Sequence, residues 1–102
     1  MLEKDIESWA KRKAREAGWY VRKFTSPGNR SVPDDLFLKN GRVFWVEFKA
    51  TGKEPTELQE DEHKAIRDHG GTVYVCDSRA WFETILKMEQ QPPSGDFEIP
   101  FG

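Results

Sequence analysis

Pro33-Asp34-Asp35-Leu36-Phe37-Leu38, then Lys39-Asn40-Gly41-Arg42, then Val43-Phe44-Trp45-Val46-Glu47-Phe48-Lys49 is the stretch that decides the fold. Two hydrophobic runs flank Asn40-Gly41, the strongest short-range signal for a β-hairpin. Successive strand side chains alternate between faces, so Val43, Trp45, Glu47 and Lys49 share one face and Phe44, Val46 and Phe48 take the other. Closing the hairpin brings Asp34 towards Glu47 and Lys49. Two carboxylates and an ammonium then converge on one face of a sheet. Such an anionic pair repels itself unless a cation lies between its members or one of them takes up a proton. Oxygen donors of this kind suit Mg²⁺ or Mn²⁺.

The bulk numbers bound what surrounds this hairpin. A chain of 102 residues with 36% hydrophobic and 33% charged residues reads as one domain with an economical core. The formal net charge of −2 argues against a protein that coats DNA generically. Charge is uneven, however: residues 1–33 carry eight Lys/Arg against four Asp/Glu, and residues 34–102 carry eight against fourteen. A basic first third can hold phosphates while an acidic centre holds metal; a solvated basic helix is the plainer alternative. The single cysteine, Cys76, excludes an intrachain disulfide and a cysteine zinc site. No apolar run approaches the ~20 residues of a membrane span. The N-terminus lacks the apolar stretch of a signal peptide, so a cytoplasmic protein is expected.

Upstream, Leu2, Ile6, Trp9, Ala10, Ala14 and Ala17 recur at helical spacing, with Gly18 as the stop. Glu3 falls inside this apolar arc and Glu7 at its margin. A carboxylate on a packed face needs a partner, which makes Glu3 the better site candidate. The alternative is a first-turn acid that serves the helix dipole. Trp19–Phe24 reads as a strand and residues 26–31 as a loop that can meet a phosphate through its backbone and Arg30, or simply connect.

Downstream, Thr56-Glu57-Leu58-Gln59 has the form of a capping box, a structural role for Gln59 that needs no catalysis. The helix runs on to Gly70-Gly71. His63, among charged residues, is expected to be solvated, and neither it nor His69 has a ligand partner at metal spacing. Thr72–Asp77 forms a fourth strand. Ser78 caps a last helix whose apolar surface is Trp81, Phe82, Ile85, Leu86 and Met88. A tail at 96–102 alternates Phe97, Ile99 and Phe101, as an edge strand would. The order αβββαβα suits an α/β sandwich with a mixed four-stranded sheet. There is no glycine fingerprint or P-loop for a doubly wound nucleotide-binding fold.

Ser31-Val32-Pro33-Asp34, Val46-Glu47-Phe48-Lys49-Ala50, Gln59 opening the next helix, and Gly70-Gly71 before a Val-rich strand together resemble the PD-(D/E)xK nuclease superfamily. Within it they are closest to the virus-type replication-repair nuclease (VRR-NUC) domains, from about Glu3 to Asp77. The resemblance implies a restriction-endonuclease-like αβββαβ core within a single domain at 1–95, followed by a last helix and a tail at 96–102. It implies metal ligation by Asp34, Glu47 and the Phe48 carbonyl, with Glu3 reaching the metal through water or completing a second site. Lys49 would orient or deprotonate the attacking water, or stabilise the phosphorus centre. A neutral lysine is not expected beside two carboxylates, so a charged, positioning Lys49 is favoured. The family also carries a Gln near the site, at Gln59. Asp35 points away from Asp34 and is either solvated or an ion-pair partner of the basic helix.

The implied activity is divalent-metal-dependent, structure-selective DNA cleavage, with a homodimer acting on four-way (Holliday) junctions, or cleavage of flapped DNA by the same site. Lys11, Arg12, Arg15, Arg22, Lys23 and Arg30 would contact phosphates with little base readout. A non-catalytic nucleic-acid-binding module or a structural subunit are the alternatives outside catalysis. The intact Asp, Glu and Lys count against the binding module, and the structural subunit predicts no divalent-metal binding at Asp34 and Glu47.

Overall fold

The computed structural model describes residues 1–29 and 31–90. Arg30, the domain boundary expected at residue 95 and the tail at 96–102 lie outside the described residues. The element order is α1 (Glu3–Glu16), β1 (Tyr20–Lys23), β2 (Asp35–Lys39), β3 (Arg42–Phe48), α2 (Glu57–Asp68), β4 (Val73–Cys76) and α3 (Arg79–Gln90). The expected αβββαβα order and mixed sheet are therefore present. Strands lie in the order β1-β2-β3-β4, with the first two pairings antiparallel and β3–β4 parallel.

The hairpin turn has the chemistry its sequence promised. Asn40 (φ 50°) and Gly41 (φ 83°) both take the left-handed conformation that a two-residue turn demands. This pins Lys39 opposite Arg42, Phe37 opposite Phe44 and Asp35 opposite Val46. One face of the sheet packs against α1 and α3. Val21, Phe37, Phe44, Val46 and Phe48 on that face, with Ile6, Ala10 and Ala14 of α1 and Phe82 and Ile85 of α3, make a dry core. Phe44 is its centre: it stacks on Phe37 with centroids 4.8 Å apart and meets Trp19 and Tyr74 edge-on at 5.0 and 5.7 Å. Of the apolar residues expected to face inward from the last helix, Phe82, Ile85 and Leu86 are buried, whereas Trp81 and Met88 are exposed. Glu89 is buried in their place, held by Arg42 and by the Tyr74 hydroxyl.

Among the described residues the opposite face is covered only by α2, which lies along the β4 side. Ser78 caps α3 by accepting from the Trp81 N–H at 3.1 Å, and Thr56 caps α2 as its spacing foretold. No helix of the described residues is long and apolar enough to cross a membrane.

Phe44→Ala removes the ring on which three aromatic residues converge. Urea unfolding is expected to show a loss of about 3–5 kcal/mol with an unchanged denaturant slope.

Candidate active site

The register continues into the site. Lys23 is opposite Asp35 and the Phe24 N–H donates to the Asp34 carbonyl, so Phe24, Asp34 and Glu47 form the next cross-strand row on the α2 face. Asp34 accepts from the Phe48 N–H at 2.8 Å through Oδ2. Its carboxyl is pushed up to about 7, first by burial and then by the Glu47 charge, against the Phe48 hydrogen bond. The expected convergence of two carboxylates is thus accompanied by the proton uptake that mutual repulsion predicts. Lys49 lies one pleat beyond, its Nζ 3.9 Å from Glu47 Oε2. The loop after it is tied down where Gly52 N–H donates to Asp77 Oδ2 at 3.0 Å.

Glu47 is 2% exposed and is approached from the other side by α2. Gln59 does two jobs there. Its Oε1 accepts from the Thr56 N–H at 2.9 Å while Thr56 Oγ1 accepts from the Gln59 N–H, closing the capping box. Its Nε2 meanwhile donates to Glu47 Oε2 at 3.2 Å. His63, one turn further on, corrects the solvated reading: it is 2% exposed, with Nε2 3.5 Å from Glu47 Oε1. Both of those atoms are buried without a hydrogen-bond partner. Sequence reasoning missed His63 because its neighbours are charged. The signal was its spacing, one helical turn after Gln59 and on the same face.

Glu3 is not where the helical arc put it. It is exposed in the first turn of α1. Thr51 N–H donates to the Met1 carbonyl at 3.1 Å, which ties the chain's start to the loop after Lys49. The half-buried helical carboxylate is Glu7. It accepts from Lys23 Nζ at 2.9 Å. Burial pushes Glu7 up, but contacts with Asp35, Lys23 and Lys11 bring it net below the usual range. Asp35 is fully buried, with Lys11 Nζ 3.2 Å from Oδ1 in ion-pair rather than hydrogen-bond alignment. Of its two expected placements, ion pairing with the basic helix is the one observed. Burial, then Glu7, pushes Asp35 up to about 8.

An open groove of ≈ 330 Å³ over α1 and β1 is lined by Lys4, Glu7, Ser8, Lys11, Arg15 and Lys23. It gathers Lys11, Arg15 and Lys23 from the expected phosphate contacts. Arg12 is exposed elsewhere on α1, and Arg22 stacks its guanidinium on Tyr20 at 4.2 Å.

An α/β sandwich with paired Asp and Glu at the end of a β-hairpin and a Lys one pleat on is the restriction-endonuclease-like class of nuclease fold. A solved structure described as a VRR_NUC domain superposes with a TM-score of 0.77 at 29% identity, covering 83% of this chain and 94% of that one. A phage protein named "Putative nuclease p44", from Acyrthosiphon pisum secondary endosymbiont phage 1, is 42% identical over 78 residues, 76% of this chain and 84% of the relative. No family model matches the chain. By this relative and this structure, the chain belongs to the VRR-NUC family of nucleases.

The raised Asp34 and Asp35 set a pH dependence. In EDTA the folded protein keeps protons that the unfolded chain releases near pH 4, so these two groups stabilise most below about pH 4 and their contribution is lost as pH rises through 7 and 8. The lowered Glu7 has the opposite sign and acts only at lower pH. The thermal midpoint is therefore expected to fall between pH 5 and 8, and Asp34→Asn to flatten the slope.

Proposed function

We propose that this protein is a divalent-metal-dependent, structure-selective DNA endonuclease that works as a homodimer on branched DNA, four-way junctions in particular. The observation that carries the reading is the row that sets Asp34 against Glu47, with Glu47 held by Gln59 and Lys49 beside it.

The donor set suits a hard cation. Among the described residues no three His, Cys, Asp or Glu side chains cluster at metal-holding distance. Two carboxylates and a backbone carbonyl, completed by water and phosphate oxygens, are the kind of set that Mg²⁺ or Mn²⁺ accepts. The buried, unpartnered Glu47 Oε1 is an oxygen that such an ion would satisfy. Asp34, Glu47 and the Phe48 carbonyl would hold the ion, with Glu3 adding a water-bridged or second-site carboxylate. A bound divalent ion supplies charge neutralisation at phosphorus, activation of water and help for the leaving oxygen.

The chain's own side chains do the rest. Gln59 fixes the Glu47 carboxylate by donating to Oε2, while His63 Nε2 flanks Oε1 at 3.5 Å. Lys49 acts as a cationic group that orients the attacking water and stabilises the charge that builds on the phosphoryl oxygens. The groove of Lys11, Arg15 and Lys23, with Arg12, Arg22 and Arg30, positions the backbone without reading bases. A two-fold dimer would set two such sites at fixed separation, as paired cuts across a junction require.

A panel of four-way junction, 5′ flap, splayed arm and linear duplex, each with Mg²⁺, Mn²⁺ or EDTA, tests the reading. Paired symmetric junction cuts are expected, abolished by EDTA and reduced by about 10³-fold or more in Asp34→Ala and Lys49→Ala. Flap cutting alone would keep the site and change the substrate. Junction binding without any cut would make the protein a binding module.

Gln59→Glu separates that residue's two roles. The carboxylate can still reach back to the Thr56 N–H, so helicity by circular dichroism should persist. The donor to Glu47 is lost, and cleavage should fall by about 10²-fold.

A further inference from the structure

Helix α2 meets the sheet through polar atoms. His63 is its one buried residue, at 2% exposed, whereas Leu58 is 72% exposed and Ile66 is half-buried. A packing residue in that position would ordinarily be apolar, since a buried imidazole without a partner is costly. His63 and Gln59 stand one helical turn apart on the same face of α2, and both meet the Glu47 carboxylate. The two oxygens of that carboxylate are not treated alike. Oε2 accepts from Gln59 Nε2 at 3.2 Å and has Lys49 Nζ at 3.9 Å. Oε1 has no hydrogen-bond partner and faces His63 Nε2, which is 3.5 Å away and equally unpartnered.

We propose that His63 is a positioning residue for Glu47, with Nε2 as the protonated ring nitrogen and the hydrogen-bond donor to Oε1. Its consequence for metal binding rests on the metal-dependent reading above, which it deepens. Chemistry selects the tautomer. A bare Nε2 would set two buried acceptors against each other, and both would lose water without gaining a partner. A protonated Nε2 satisfies both atoms at once. The separation exceeds an ordinary N–H···O bond by a few tenths of an ångström, which a small turn of the ring closes. With Gln59 on one oxygen and His63 on the other, the Glu47 carboxylate is no longer free to rotate. Each carboxylate oxygen accepts more than one contact, so the clamp leaves lone pairs for a cation. Hydrogen bonds to a ligating carboxylate set its direction before the ion arrives, and losing one weakens metal binding. His63 acts through Glu47 rather than as a ligand, since among the described residues no three His, Cys, Asp or Glu side chains cluster at metal-holding distance.

Two measurements on the full chain test this. In EDTA, nitrogen NMR of the His63 ring is expected to show the proton on Nε2. A ring protonated at Nδ1 alone overturns the proposal. Mn²⁺ binding without DNA, followed by calorimetry, is then compared across variants. His63→Leu keeps the bulk and removes the donor, so Mn²⁺ affinity should fall by about 10- to 100-fold with unchanged circular dichroism. His63→Gln offers an amide N–H at similar reach and should recover most of that loss. A packing role predicts the opposite order, with Leu nearer the wild type than Gln, and that order overturns the proposal. Equal losses in both variants, or no loss in either, overturn it as well. So does a nitrogen bonded directly to Mn²⁺ by electron paramagnetic resonance, which would make His63 a ligand. Cleavage assays on the same samples keep the two readings apart. The expected order of affinities in a protein that cuts no DNA supports the positioning role and sinks the nuclease reading. Metal-dependent cutting in which His63→Leu binds Mn²⁺ and cuts like the wild type does the reverse. A wild type that binds no divalent ion sinks the metal-dependent reading, and the Nε2 proton then decides the proposal alone.

Discussion

The β2–β3 register carries the site. A slip of one residue would turn Glu47 into the apolar core and Phe48 out to water, so the same pairing that buries Phe37 and Phe44 also brings Asp34 across from Glu47. Burial of the phenylalanines is the driving force and the two-residue turn sets the phase. The repulsion between the carboxylates is a local cost that the rest of the hairpin offsets.

Asp34 and Asp35 are consecutive, and the pleat sends them to opposite faces. Each finds a second carboxylate there, Glu47 on one side and Glu7 on the other, and each is pushed well above its ordinary range. Adjacent perturbed acids at the end of a strand are a common mark of a functional site, and they destabilise the metal-free fold at neutral pH. The inner pair is compensated by Lys11 and Lys23. The outer pair has the Phe48 N–H on Asp34, the Gln59 amide on Glu47 and Lys49 3.9 Å from Glu47.

Rigidity comes from the opposite end of the sheet. Glu89 of α3 accepts from Arg42 at the start of β3 and from the Tyr74 hydroxyl of β4. The Trp19 indole donates to Gln90 at 3.0 Å. These contacts fasten α3 to β3, β4 and the residue before β1, so the carboxylate row projects from a braced sheet rather than from a mobile loop.

The hairpin, the helix caps, the element order and the Asp34–Glu47–Lys49 grouping were all legible in the chain, because each depends on neighbours two to fifteen residues apart. Turn chemistry, strand alternation and capping are local physics. Three placements were decided only by tertiary packing. Glu3 and Glu7 share a helix, and Glu7 is the one covered because Lys23 of β1 and Asp35 of β2 meet it. His63 reads as a surface residue among acids, and it is buried because α2 docks that turn against Glu47. Asp35 became a fully buried ion-pair partner because Glu7, Lys11 and Lys23 close over it. Helical periodicity specifies a direction around an axis, but burial requires a second element at that height, and only the assembled sheet and helices supply it.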